Sequence, residues 1–139
     1  MKLRLTGMTL RHLYELKKRG NQELDCDVLY RHCLNGDSTC ASIVDENDHV
    51  IAAGGIVDIG WNRGEAWIVV DSSRLSGVRR AIRIIRESYQ SMAKRFRRVQ
   101  AVCYCDSDVL IRHLGLEYEA TLRAYGPNGE DGRIYARVS

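Results

Sequence analysis

Between Val78 and Phe96 the sequence repeats two chemistries at helical spacing. Val78, Ile82, Ile85, Tyr89, Met92 and Phe96 recur at steps of three and four, and Arg79, Arg83, Arg86, Gln90, Lys94 and Arg97 recur in the same way on another face. Residues three and four apart stack on one side of an α-helix. The stretch is therefore an amphipathic helix with one apolar and one basic face. Its flanks constrain the fold further. Glu65–Val70 before it is a mostly apolar run that stops at Asp71, and Val99–Cys105 after it reads as a strand. A strand that is apolar at most positions is central and covered on both sides. Central strand, short loop, long helix and strand in succession make the class α/β.

The remaining elements follow from periodicity and punctuation. Lys2–Leu5 is a short strand, and Thr9 caps a helix whose Leu10, Leu13, Tyr14 and Lys17 share a face before Gly20. Asn21–Leu34 reads as a second helix that ends at Asn35-Gly36. Thr39–Val44 and His49–Asp58 form a hairpin about Asp45-Glu46-Asn47-Asp48, and Trp61-Asn62-Arg63-Gly64 makes the next turn. Asp106 or Ser107 caps a short helix to His113. Leu116–Tyr125 and Arg133–Val138 close a final hairpin around GPNGEDG. With one proline, no repeat and no linker, the 139 residues read as a single domain, 1–139.

Composition narrows the setting. No apolar run approaches the roughly 20 residues of a membrane span, and the start, MKLRLTGMTLRHL, carries no apolar leader. Both point to the cytoplasm and away from a membrane. The five cysteines are odd in number and include no C-x-x-C pair, so reduced thiols are expected. Cys103 and Cys105 share a strand face, but no second pair or nearby histidine completes a metal site, and no metal is expected. The net charge of +3 is uneven: residues 74–98 hold nine Lys or Arg against one acid, Glu87. Such asymmetry serves an anionic partner or a solvated helix face. Without an aromatic platform or a groove-reading motif, nucleic acid is the weaker partner.

The loop before the long helix reads Arg74-Leu75-Ser76-Gly77-Val78-Arg79. With the element order β-α-α-β-β-β-α-β-α-β-β, it resembles the GNAT acyltransferase superfamily, whose pyrophosphate loop has the pattern Q/R-x-x-G-x-G/A. Arg74 and Gly77 match, while Arg79 stands where the family prefers glycine or alanine. The resemblance implies a GNAT fold, a mixed central sheet of about seven strands flanked by four helices. It also implies acetyl-CoA as cosubstrate, an amine acceptor of small-molecule or protein type, and a homodimer as an option. The physics of the loop stands on its own. A helix N-terminus offers unpaired N–H groups and partial positive charge to a pyrophosphate, and glycine lets the backbone approach. Ile51-Ala52-Ala53-Gly54-Gly55, Ala66–Val70 and Arg74–Gly77 also look like small GNAT-like proteins of tailed phages. That narrower likeness implies an alternative: a non-catalytic structural or host-interaction protein, in the virion or the host cytoplasm.

In the family the fourth and fifth strands splay, and the coenzyme's pantetheine arm pairs with the freed backbone. The resemblance assigns this to Ile68, Val69 and Val70, and the phosphate contacts to residues 74–79, with Ser107 as a further coenzyme contact beside its capping role. An amine nucleophile must lose a proton, and a general base within reach assists. Glu65, early in the fourth strand, matches the family's glutamate approximately; its alternative is an exposed strand-end residue. Asp58 is a further candidate, and Asp71 reads as a loop or cap residue. The family's tyrosine acid, in a motif like Y-x-x-L-G-F, corresponds to Ile111 in Ile111-Arg112-His113-Leu114-Gly115-Leu116. Tyr104 or Tyr125 is then the substitute acid, or else a core or rim aromatic. His113 suits a helix C-terminus. Glu23, Asp25 and Asp27 either attract a cationic acceptor or sit as first-turn acids.

Overall fold

The computed structural model describes residues 2–20, 24–104 and 108–139, and at 72 and 75–78 it describes the backbone alone. The elements are β1 (Leu3–Gly7), α1 (Leu10–Lys18), α2 (Cys26–Cys33), β2 (Thr39–Asp45), β3 (Val50–Gly60), β4 (Arg63–Val70), α3 (Leu75–Ala93), β5 (Arg98–Cys103), α4 (Val109–His113), β6 (Glu117–Leu122) and β7 (Gly132–Val138). One seven-stranded sheet runs in the order β1-β2-β3-β4-β5-β7-β6. All pairs are antiparallel except β4–β5, which α3 joins as a parallel crossover. The mixed sheet with its four helices is the architecture the sequence leads one to expect. No described helix is long and apolar enough to cross a membrane.

Alternation along β4 explains why its sequence is apolar on both faces. Trp67 and Val69 pack with Leu13, Leu16, Cys26 and Ala53 beneath α1 and α2. Ala66 and Val70 pack on the other side, with Tyr89, Ala93 and Phe96 in one cluster and with Ala81 and Ile85 in another. Apolar residues packed against the core on both faces of one strand are the signature of a covered central strand.

Two caps fix α1. Thr9 accepts from the His12 amide at 3.2 Å, and His12 Nδ1 faces both the Thr9 amide and the Ser42 hydroxyl, the latter at 2.9 Å. Burial lowers the His12 pKa, so the ring is held neutral as a strut between α1 and β2. Asp25 caps α2 by accepting from the Val28 amide.

Several boundaries differ from the sequence reading. Leu75–Val78 belong to the first turn of α3 and not to an open loop. β4 begins at Arg63, because Trp61 and Asn62 turn the chain with positive φ of 56° and 59°. β5 stops at Cys103, and α4 starts at Val109 with Asp108 before it. Asp108 makes no capping bond. Its carboxylate accepts from Arg112 and from the Tyr135 hydroxyl instead. Residues 21–23, and with them Glu23 and the proposed start of the second helix, lie outside the described residues, as do Cys105, Asp106 and Ser107.

At Gly55 the neighbouring strand leaves no room for a side chain. A Cβ there would run into the Thr39 carbonyl and come within 2.6 Å of the Cys40 Cα, both backbone atoms of β2. Backbone in a central sheet cannot yield as a side-chain tip can. Gly55→Ala is expected to cost about 3 kcal/mol, read as a lower urea midpoint at unchanged m.

Candidate active site

The site begins where two strands part. β4 and β5 pair at Arg63–Arg98, Gly64–Val99 and Glu65–Gln100, and their ladder goes no further. Beyond Glu65 the strands diverge about a cleft of roughly 620 Å³ lined by Glu65, Trp67, Ile68, Val102, Tyr104 and Ile111, among others. That volume lies within the range of small-molecule sites, about 300–1,000 Å³. Over Ala66–Val70 the strand pairs with β3 on its other edge.

Glu65 stands at the fork. It is the last β4 residue paired to β5, and it also faces Val57 across β3. It is not the exposed strand-end residue of the alternative reading, since β4 starts two residues earlier. Its side chain lines the cleft and also a second cavity of about 270 Å³, formed with Leu29 and His32 of α2, Val57 and Ile59 of β3, and Trp67. Burial pushes the Glu65 pKa up, and the charge of His32 pulls part of that back. One carboxyl thus borders both spaces, in surroundings that favour holding a proton.

Tyr104 is at the far wall of the cleft, just after β5, with 45% of its surface exposed. Its ring stacks on Tyr125 at 6.4 Å, with an interplanar angle of 13°. Burial raises its pKa, and Tyr125, Glu65 and Glu130 add to the rise, so the phenol keeps its proton at neutral pH. Ile111 lines the same cleft. Asp58 is elsewhere: it accepts from the Asp37 and Gly60 amides, which hold it below the usual carboxylate range. Asp27 accepts from the Tyr14 hydroxyl at 2.8 Å, away from both cavities. His113, at the end of α4, and Arg79, in the second turn of α3, are exposed.

Arg74 occupies an unexpected place. Its guanidinium donates to Asp45 Oδ2 at 2.8 Å, meets His49 Nδ1 at 3.3 Å and lies 3.6 Å from Asp71 Oδ2. Asp71 in turn accepts from Arg19 at 2.8 Å and from the backbone and hydroxyl of Ser73. Two carboxylates therefore gather Arg74 and the tight turn at 72–74 against the sheet. The side chains of Leu75, Ser76 and Val78, and the surroundings of Gly77, lie outside the described residues. The backbone there forms the N-terminus of the 19-residue α3.

Residues of the site missed from the sequence are Trp67 and His32. Trp67 could have been found, since it shares the Glu65 face of β4 two residues on. His32 arrives through a tertiary contact that no local pattern encodes.

Comparison with solved structures places this geometry. The chain resembles the ribosomal-protein-S18-alanine N-acetyltransferase of Escherichia coli at 15% identity and a TM-score of 0.75, covering 99% of this chain and 94% of that one. It resembles Ard1 of Thermoplasma volcanium at 12% identity and 0.77, covering 99% and 98%. It also resembles a chain of the NatC complex, solved with Gag peptide and CoA, at 15% identity and 0.74, covering 100% and 99%. No protein-family model matches the chain, and no curated protein sequence matches it. The fold is that of the GNAT N-acetyltransferases, and it extends over essentially the whole chain.

Proposed function

We propose that the protein is an acetyl-CoA-dependent N-acetyltransferase that acts by direct attack of an amine. The observation that carries this reading is Glu65, a partly buried carboxyl with a raised pKa at the fork of two strands, bordering one cavity on each side. The β4–β5 cleft takes the pantetheine arm, with Ile68, Val69 and Val70 beside it, and the α2-side cavity takes the acceptor. Acetyl-CoA supplies the thioester whose acyl carbon the amine attacks. Glu65 accepts the proton that the attacking amine loses. Tyr104 holds a proton for the departing thiolate in the position that Ile111 leaves vacant of any acid. The pyrophosphate goes to the backbone at Leu75–Val78 and to Arg79. Arg74 orders that turn through Asp45 and Asp71 and leaves the direct phosphate contacts to its neighbours. Apolar walls from Leu29, Val57, Ile59 and Trp67 beside one carboxyl suit a cationic amine on an apolar body. Neighbours solved with peptide and CoA, or named for spermidine, are consistent with an amine acceptor.

The scaffold reading, fold kept and chemistry lost, draws on Ile111 and on the engagement of Arg74 by carboxylates. Calorimetric titration of acetyl-CoA separates the two. The enzyme reading expects 1:1 binding with Kd on the order of 10 μM, within the usual range of substrate affinities, and turnover in a screen of peptide N-termini, polyamines and aminoglycosides. No heat at about 1 mM acetyl-CoA, the upper end of that range, would leave the scaffold reading standing.

A further inference from the structure

Cys33 is the last residue of α2, and Cys40 is the second residue of β2. Their Sγ atoms are 2.8 Å apart, about 0.75 Å more than the ~2.05 Å of a disulfide bond. The fold builds this proximity. The intervening turn is pinned at three points: the Ser38 amide to the Asn35 carbonyl at 3.0 Å, the Asp37 amide to Asp58 at 3.0 Å, and the Ser38 hydroxyl accepting from the Asp58 amide at 2.7 Å. Opposite Cys40 stands Gly55, where a Cβ would lie 2.9 Å from the Cys40 sulfur. The absent side chain therefore leaves room for that sulfur.

We propose that Cys33 and Cys40 are a modification site, a dithiol that closes reversibly to a disulfide by exchange with a low-molecular-weight disulfide. The Cys40 thiolate attacks one sulfur of the oxidant and releases the first thiol, forming a mixed disulfide. Cys33 loses its proton to water and attacks the Cys40 sulfur, releasing the second thiol. Two protein thiols are oxidised by two electrons, and one disulfide is reduced to two thiols. Cys40 is the entering thiol because it is partly exposed, whereas Cys33 is 8% exposed. The proton shared with Cys33 lowers the Cys40 thiol; burial opposes this, and the indole N–H of Trp67 adds to the lowering. The same shared proton, together with burial, pushes Cys33 up. That indole nitrogen is buried without a hydrogen-bond partner among the described residues. Closing the bond ties the end of α2 to β2. Leu29 and His32 of α2, with Trp67 of β4, form one wall of the 270 Å³ cavity, so oxidation fixes that wall.

The test uses the full chain and does not depend on catalysis. The protein is equilibrated in glutathione mixtures from fully reduced to fully oxidised, quenched with iodoacetamide, and read by intact mass and peptide mapping. The expected result is loss of two of the five alkylatable thiols, a protein lighter by two hydrogen atoms before alkylation is counted, and a Cys33–Cys40 cross-linked peptide that dithiothreitol reverses. The midpoint of thermal unfolding should rise by about 5–8 °C on closure of this short loop. A lasting glutathione adduct on Cys40, a cross-link to another cysteine, or five alkylated thiols throughout would each overturn the proposal. Cys33→Ser should trap the glutathione adduct on Cys40, and an adduct at any other cysteine would refute Cys40 as the entering thiol.

Discussion

Glu65→Gln should lower kcat by about 10²–10³-fold, the usual contribution of a positioned general base, while acetyl-CoA affinity stays within about twofold of the parent. The amide keeps the shape of the carboxyl at the β4–β5 fork but cannot take a proton from the amine. The pH profile gives the sharper readout. Burial raises the Glu65 pKa, and a base works only when deprotonated. The parent rate should therefore climb with pH through that raised pKa, above the ordinary glutamate value of about 4.3, and the residual rate of the variant should lack this limb. Stability should move the other way. A raised folded-state pKa means that the native state binds the proton more tightly than the unfolded chain, so the charged carboxylate costs stability as pH rises past the unfolded value. Glutamine removes that cost, and Glu65→Gln should melt no lower than the parent at pH 8. An inactive variant that also melts lower would mark Glu65 as a structural residue, and an active one would remove it from the mechanism.

What sequence could and could not convey follows the range of the interactions. The α3 periodicity, the Thr9 cap and the apolar β4 are set within one or two turns or within a single strand, and they survive into the structure with small boundary shifts. The start of α3 shifts because Gly77 reads locally as loop. A glycine in a helix costs only about 1 kcal/mol, which the packing of a 19-residue helix exceeds. The role of Glu65 was legible only as a position. Its burial, its two cavities and its neighbour His32 depend on α2 folding over the end of β3. Arg74 is a different case. The motif assigned it to phosphate, and its guanidinium donates to Asp45, 29 residues away in sequence, a contact that no local pattern encodes. The Cys33–Cys40 contact was hidden in the same way, because six residues separate the two and neither stands in a C-x-x-C pair.

Asp71→Ala should be the most destabilising single change at the site's edge, by about 3 kcal/mol, the lower end for removing one partner of a buried ion pair, or on the order of 10 °C in the unfolding midpoint. Asp71 is fully buried, whereas Arg19 and Arg74 keep 32% and 27% of their side-chain surface in water, which is why the lower end applies. Its carboxylate accepts from Arg19 at the end of α1 and from the Ser73 backbone and hydroxyl in the turn before α3, so it ties α1 to that turn. The pH dependence identifies the cause. Burial alone would push the Asp71 pKa up, but the bonds from Ser73 and Arg19 outweigh it and leave the pKa below the usual aspartate range. A carboxyl depressed in the folded state gives stability that is present above the unfolded pKa, about 3.9, and lost as pH falls through the folded value. Asp45 behaves in the same sense: burial raises it, and the amides of His49 and Asn47 with the charges of His49 and Arg74 bring it below its ordinary value. The difference in melting temperature between parent and Asp71→Ala should therefore be full at pH 7 and shrink steadily below pH 4. A difference that stays constant to pH 2 would mean that lost packing, and not the carboxylate, is responsible. Because the same carboxylate orders the turn ahead of α3, acetyl-CoA binding should weaken in the variant even at temperatures where it is fully folded. Asp71→Asn, which retains an acceptor for Ser73 but not the charge for Arg19 and Arg74, should fall between the two.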